Sequence, residues 1–419
     1  MRILVLAPQP FYTLRGTPIA VRMMLNSLSA NGHEVDVITF AEGEQLEIPN
    51  VRFHRVPDWR ILRGVRPGFS LKKIIADTLM AFMAIGMLAR RSYDVVHAVE
   101  EMAYFARLIK PVSRVPFVFD LDSSIPQQIA EKYRLPRPVN AFLEFVERST
   151  LRNAAAAVTC CPALEDMARG IAPDVPIMTL TDVSVLDGQV IEQKDVDTSD
   201  AKFDEPVAMY IGNFEHYQGI DLLLDGFAKA QANQPMRLVI IGGNDEDIAH
   251  YRTKAAAMGI GEVTHFLGPR PLTALRAYLQ TADIVVSPRL KGINTPMKVY
   301  SYLDSGKPML ATALETHTQV IGDDIAMLVK PTADDVARGL STLVEDPNAA
   351  AEMAARAKKR VAAEFSTTSF HNKVSHFYDN IVRPRLVSGG PELSRNLNLL
   401  RDRSHNPFGN QTRGGVLDP

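Results

Sequence analysis

A short apolar strand that breaks into a glycine-bearing loop and then a helix occurs twice in this chain, and the repetition constrains the fold. Residues 3–7 form the first apolar run, the loop behind it ends at Arg15-Gly16, and Thr17-Pro18 opens a helical stretch bearing Val21, Met24, Leu25 and Leu28. Threonine before proline is a helix start, because the hydroxyl can cap free amides and proline tolerates the first helical position. Asn31-Gly32 ends the helix and residues 35–40 resume as a strand. The same order returns in residues 207–211, Gly212-Asn213, Gly219, a helix with Leu222, Leu223 and Phe227, and a strand at 238–241 ending in Gly242-Gly243.

Alternating strand and helix signals in both halves predict an α/β chain of two Rossmann-like, doubly wound parallel-sheet domains facing a cleft. Ligands bind such sheets at the carboxyl ends of the strands. Residues 187–206 are rich in Asp, Glu, Lys and Gln and read as a linker. The expected division is 1–200, a first domain with its linker; 201–365, a second domain; 366–384, a helix returning to the first; and 385–419, a mobile tail without chemistry.

The 419 residues, 46% of them hydrophobic, suffice for large cores. Lys and Arg number 46 against 48 Asp and Glu, which gives no electrostatic reason for a nucleic-acid partner. The adjacent pair Cys160 and Cys161 is poor disulfide geometry and has no zinc spacing, so a reducing, cytoplasmic setting is expected. Residues 69–91 are apolar behind Lys72 and Lys73, but Asp77 interrupts them and the apolar part falls short of the roughly 20 residues a span needs. They read either as a core helix or, with Arg60, Arg63 and Arg66, as an interfacial helix that would place 60–91 at the inner face of a membrane.

The most informative stretch is 287–308, Ser-Pro-Arg-Leu-Lys-Gly-Ile-Asn-Thr-Pro-Met-Lys-Val-Tyr-Ser-Tyr-Leu-Asp-Ser-Gly-Lys-Pro, between apolar strands at 284–286 and 309–311. Gly292 and Asn294 fit a tight turn, Thr295 can cap, and Pro296 suits the first helical position. Arg289, Lys291 and Lys298 cluster around that helix start, so a diphosphate there would meet cations and backbone amides together.

The ordered pieces together resemble the GT4 family of glycosyltransferases, which share the GT-B fold. They are the opening strand and Gly16 loop, Gly32-His33-Glu34-Val35, Asp94-Val95-Val96-His97, Tyr210-Ile211-Gly212 with Gly219-Ile220-Asp221, and Ala282-Asp283-Ile284-Val285 leading into 287–308. The resemblance covers about the first 380 residues. It implies a metal-independent, hexosyl-transferring enzyme that retains anomeric configuration and takes a nucleoside-diphosphate sugar as substrate, with no cofactor. If 60–91 touches a bilayer, the expected acceptor is a saccharide or lipid-linked hydroxyl of envelope polysaccharide or glycolipid synthesis.

The departures from that family are specific. The arginine usual after the Gly212 turn is Asn213, and the lysine usual before the second glycine is Gln218. Both glutamates of the E-x7-E pair are missing: Lys291 and Ile293 lie where the first belongs, and Ser301 stands in place of the second. A histidine often found two residues after the one matching His97 is Val99 here, followed by Glu100 and Glu101. The expected donor set is therefore a lysine-centred variant of Gly16, Gly212, Asn213, Gln218, Arg289, Lys291, Lys298 and Ser301. A degenerate sugar-nucleotide-binding protein is the competing reading. An NAD-dependent oxidoreductase is the other, opposed by the lack of any G-x-G-x-x-G.

Acid or base candidates are Glu100 and Asp122, each just beyond an apolar strand, where a carboxylate could take the acceptor's proton. No metal site is expected, although Asp120 and Asp122 have Asp-x-Asp spacing. His97 reads as a packing histidine, His317 as a cleft candidate, and Trp59 as a border of an acceptor or headgroup.

Overall fold

The structure, a computed structural model, describes residues 1–13, 16–65, 70–132 and 135–388; the expected tail from 389 onward lies outside the described residues. The first sheet contains β1 (Arg2–Leu6), β2 (Glu34–Thr39), β3 (Val51–Arg55), β4 (Val95–Val99), β5 (Phe117–Leu121), β6 (Ala156–Thr159) and β7 (Ile177–Thr179). Its order is β3-β2-β1-β4-β5-β6-β7, and every pairing is parallel. The second contains β8 (Val207–Ile211), β9 (Arg237–Ile241), β10 (Thr264–Gly268), β11 (Ile284–Ser287), β12 (Met309–Thr312) and β13 (Met327–Val329). Its order is β10-β9-β8-β11-β12-β13, again parallel throughout. Central strands are nearly all apolar because helices cover both faces.

The strand order reverses between β1 and β4 and between β8 and β11. Loops at such a reversal diverge and leave a crevice. The reversals thus put the Gly16 loop beside Glu100 in one domain, and the Gly212 loop beside residues 288–296 in the other.

The first sheet is covered by α1 (Gly16–Ala30), α2 (Leu71–Arg90), α3 (Met102–Ser113), α4 (Ile125–Lys132), α5 (Arg137–Asn153) and α6 (Pro162–Ile171). The helices of the second half are α7 (Ile220–Gln231), α8 (Asp245–Ala257), α9 (Leu275–Thr281), α10 (Met297–Asp304), α11 (Glu315–Thr318), α12 (Ala333–Glu345), α13 (Pro347–Glu364) and α14 (Thr367–His376). A π-helical segment, Phe377–Val382, follows α14. α14 packs on α1, and Asn31 Nδ2 donates to Ser375 Oγ at 2.7 Å.

One local expectation gains detail and one needs correction. Residues 187–206 are polar in composition, yet Val190, Ile191 and Ala201 are buried and the Lys194 amide donates to Thr273 O at 2.7 Å. Three apolar side chains at the right places outweigh the composition. α10 starts at Met297 behind Pro296, and no side chain caps it.

α2 turns Ala76, Met80 and Ala84 inward, while Leu71, Ile74, Phe82 and Ile85 face out. Among the described residues, no helix is long and apolar enough to cross a membrane.

Candidate active site

A cavity of about 650 Å³ opens at the carboxyl edge of the first sheet. Its floor includes Gly16, Thr17, Glu100, Asp122, Cys160 and Asp182, and Asn294, Thr295 and Met297 of the second domain close one side. The strand ends deliver the acids: Glu100 directly after β4, Asp122 after β5, Asp182 after β7. Glu100 holds φ at +49°, a left-handed conformation uncommon outside glycine and concentrated at functional positions. A Cβ added at Gly16 would meet nothing within 4 Å, so the backbone there borders open space.

Crowding carboxylates with little water raises their proton affinity. Burial drives Asp122 well above the ordinary carboxylate range, and Asp120, Glu100 and Asp182 push it further, while the Thr17 hydroxyl opposes them. Glu100 moves the same way, chiefly by burial, with Lys73 opposing and Asp120 assisting. Asp182 is pushed up to about 7, again mainly by burial. Lys73 on α2 is the local counter-charge: its ammonium donates to Glu101 and to Pro8 O at 3.2 Å, and lies 3.7 Å from Asp77. Among the described residues, no group of three or more His, Cys, Asp or Glu could hold a metal ion.

The second half of the site surrounds Lys298, one residue inside α10. Its Nζ donates to Gln218 Oε1 at 3.0 Å and sits 4.0 Å above the Tyr210 ring. A Cβ at position 212 would come within 2.8 Å of Tyr210 Oη and 3.1 Å of Lys298 Nζ, so glycine is what lets backbone and ammonium meet. Burial, followed by repulsion from Arg289, pulls Lys298 well below the usual lysine range. Its hydrogen-bond acceptor is a neutral amide, so the ammonium is desolvated without full compensation. That environment favours an arriving anion.

Gly212, Gln218 and Lys298 therefore come together, with the Arg289 charge close by. Arg289 also serves the loop: Nε donates to Lys291 O at 2.6 Å, Nη1 donates to Asn294 O at 3.1 Å, and the guanidinium lies over Tyr217. Asn213 uses its side chain locally, accepting from the Glu215 amide at 3.3 Å. Lys291 is exposed on the rim. Ser301 departs from expectation. It is fully buried and accepts the Val185 amide at 3.2 Å, so it ties α10 to the segment entering the second domain instead of facing a ligand.

His317 is also corrected. It is wholly buried, Nε2 lies 2.9 Å from Ser287 Oγ and Nδ1 lies 2.8 Å from Thr312 O, and burial lowers its pKa to about 4. It is a neutral packing residue. Trp59 is half exposed and does not line the cavity. Asp182 is not singled out by the sequence, and Lys73 and Asn294 read there only as a helix flank and a turn residue. Asp182 carries the signal that exposed Glu100 and Asp122, a carboxylate just past a strand, but its strand is only three residues long.

Family models and a relative name glycosyltransferases, and solved structures share the fold. The family model for glycosyl transferases group 1 matches residues 192–360, and that for the glycosyl transferase 4-like domain matches residues 15–179. An uncharacterized glycosyltransferase of Methanocaldococcus jannaschii is 21% identical, over 87% of this chain and 94% of its own. Among solved structures, sucrose-phosphate synthase from Thermosynechococcus elongatus superposes with a TM-score of 0.71 at 18% identity, covering 91% of this chain and 99% of that one. Anabaena HepE in complex with UDP-glucose gives a TM-score of 0.67 at 15% identity, covering 91% and 100%.

Proposed function

The chain belongs to the GT4 family of glycosyltransferases, built on the GT-B fold, and from that premise we propose that it moves a sugar, with retention, from a nucleoside-diphosphate sugar to an acceptor hydroxyl. The observation that carries this reading is Lys298: a desolvated ammonium with a neutral acceptor, touching a glycine turn, at the start of a helix beside the cleft. A diphosphate placed there gains the ammonium, the Gly212 backbone and the first amides of α10 together. As the bond from anomeric carbon to phosphate oxygen breaks, negative charge grows on the diphosphate. The fixed cation then stabilises the transition state more than the ground state.

The acceptor occupies the 650 Å³ cavity. Its oxygen bonds to the anomeric carbon, and its proton passes to a carboxylate whose raised proton affinity makes it the stronger base. Asp122 fits this role, with Glu100 beside it. Ile74 and Leu143 lie at the cavity, on helices whose outward faces carry Leu71, Phe82, Phe142 and Phe145. The acceptor class this favours is a lipid-linked intermediate of envelope polysaccharide or glycolipid synthesis, met at the cytoplasmic face of a membrane.

Thermal-shift and transfer assays against UDP-, GDP- and ADP-sugars test the reading. Stabilisation by one donor with release of its nucleoside diphosphate supports it. Binding without turnover of any donor, across lipid-linked and saccharide acceptors, would leave a sugar-nucleotide-binding protein instead.

A further inference from the structure

Beneath the cavity floor runs a buried chain of three polar side chains that the transfer reaction does not itself require. Tyr378 Oη lies 2.7 Å from His97 Nδ1, and His97 Nε2 lies 3.0 Å from Asp120 Oδ2. His97 and Tyr378 are essentially inaccessible to water, and Asp120 is largely so. Tyr378 arrives from 281 residues along the chain, on the π-helical segment Phe377–Val382, a distortion often retained where a side chain must be aimed.

We propose that Tyr378 and His97 are positioning residues for the transfer: together they hold Asp120 as a fixed anion under Asp122, and so set the carboxylate that meets the acceptor hydroxyl. The proposal rests on the reading of the cleft given above.

The hydrogen-bond logic is directional. A phenol donates to Nδ1, which leaves Nε2 carrying the ring proton, and Nε2 donates to Asp120. Asp120 is thereby held in place by a ring that water does not reach. Two residues on, Asp122 also faces Glu100 from the end of β4, Asp182 beyond β7, the Cys160 thiol beyond β6, the Thr17 hydroxyl of α1 and the Asn294 amide from the second domain; Lys73 on α2 faces Glu100. Within this set the charge on Asp120 is the largest single repulsion acting on Asp122. Removing the His97 donor frees the Asp120 carboxylate to turn away from Asp122. The repulsion then weakens, and Asp122 ionises at lower pH.

The test is a titration of side-chain carboxyl carbons in ¹³C-aspartate-labelled full-length protein, with Asp122→Asn identifying the Asp122 line, beside the pH profile of kcat/KM. In Asp120→Asn and His97→Leu the Asp122 titration is expected to fall by about one pH unit or more. His97→Gln, whose amide nitrogen can still donate to Asp120, should stay at the wild-type value, and Tyr378→Phe should move part of the way down. The acidic limb of kcat/KM should follow each shift. An unmoved Asp122 in folded His97→Leu, or a His97→Gln that shifts as far as His97→Leu, overturns the proposal. If His97→Leu does not fold, Asp120→Asn and Tyr378→Phe decide it: no shift in Tyr378→Phe overturns it. Because the titration needs no substrate, a wild-type protein inactive on every donor would count against the proposed function alone.

Discussion

Asn294 Nδ2 donates to the Asp122 carbonyl at 2.5 Å, so the loop before α10 in one domain is pinned to the acid-bearing turn of the other. The same loop is held from within by Arg289 on Asn294 O, and by Thr316, whose hydroxyl also donates to Asn294 O at 2.6 Å. Donor and acceptor sides are thus registered by an amide whose own backbone is fixed, beside Gln319, whose Oε1 accepts the Ala163 amide at 2.9 Å.

Asn294→Ala should therefore weaken closure without disturbing either sheet. A hydrogen bond of this kind contributes about 1 kcal/mol, and registration of the two halves matters most when the site is closed. Steady-state kinetics should show kcat/KM lower by roughly fivefold, with the melting temperature nearly unchanged. Wild-type kinetics in the variant would contradict this role for the contact.

Asp182 links the site to stability. Its carboxyl is held up to about 7 in the folded protein against an ordinary value of 3.8. The folded state keeps a proton that the unfolded chain has released, so Asp182 costs no stability below about pH 4, and stability is lost as pH rises towards 7. Asp182→Asn removes that slope. Denaturant unfolding should show the variant gaining on wild type across the window by up to roughly 1.4 kcal/mol per pH unit. Parallel pH profiles for the two proteins would show that Asp182 does not hold its proton.

Three neighbouring helices on one face of the first sheet present apolar side chains to solvent: Phe82 on α2, Leu108 and Val112 on α3, Phe142 and Phe145 on α5, all more than 60% exposed. α3 adds Arg107 and Lys110 with no acid, and α5 adds Arg148 and Arg152 beyond its two rings, with Glu144 between them. Apolar side chains edged by cations suit an anionic bilayer surface. The protein should co-sediment with phosphatidylglycerol vesicles and less with phosphatidylcholine ones. Phe142→Ser with Phe145→Ser should reduce binding by at least about tenfold, since burying each ring is worth roughly 1.5–3 kcal/mol. Equal recovery with and without vesicles would remove the membrane from the account.

Much of this architecture was legible in the residues themselves. Both βαβ starts, the glycine turn at Gly212, and the placement of Glu100 and Asp122 at strand ends follow from local rules that a parallel sheet enforces. Side-chain direction was not legible. Ser301 sits in the motif where a ligand residue is expected, yet on an eight-residue helix its angular position turns it towards Val185. His317 lies after a strand, as cleft residues do, but Thr312 and Ser287 capture both ring nitrogens in the core. Lys73 joins the site only because α2 meets the cavity from a distant segment, and such convergence leaves no local pattern; Asp182 has the strand-end pattern, but behind a strand of only three residues.

The most direct measurement is turnover of the preferred donor by Lys298→Ala, with the affinity for its nucleoside diphosphate determined in parallel. Loss of one charge-assisted contact of about 1.5–3 kcal/mol predicts a fall in kcat/KM of one to two orders of magnitude. Diphosphate affinity should weaken too, while Lys291→Ala, on the exposed rim, should change little. Unchanged turnover and diphosphate affinity in a folded Lys298→Ala protein would contradict the placement of the donor diphosphate at this lysine.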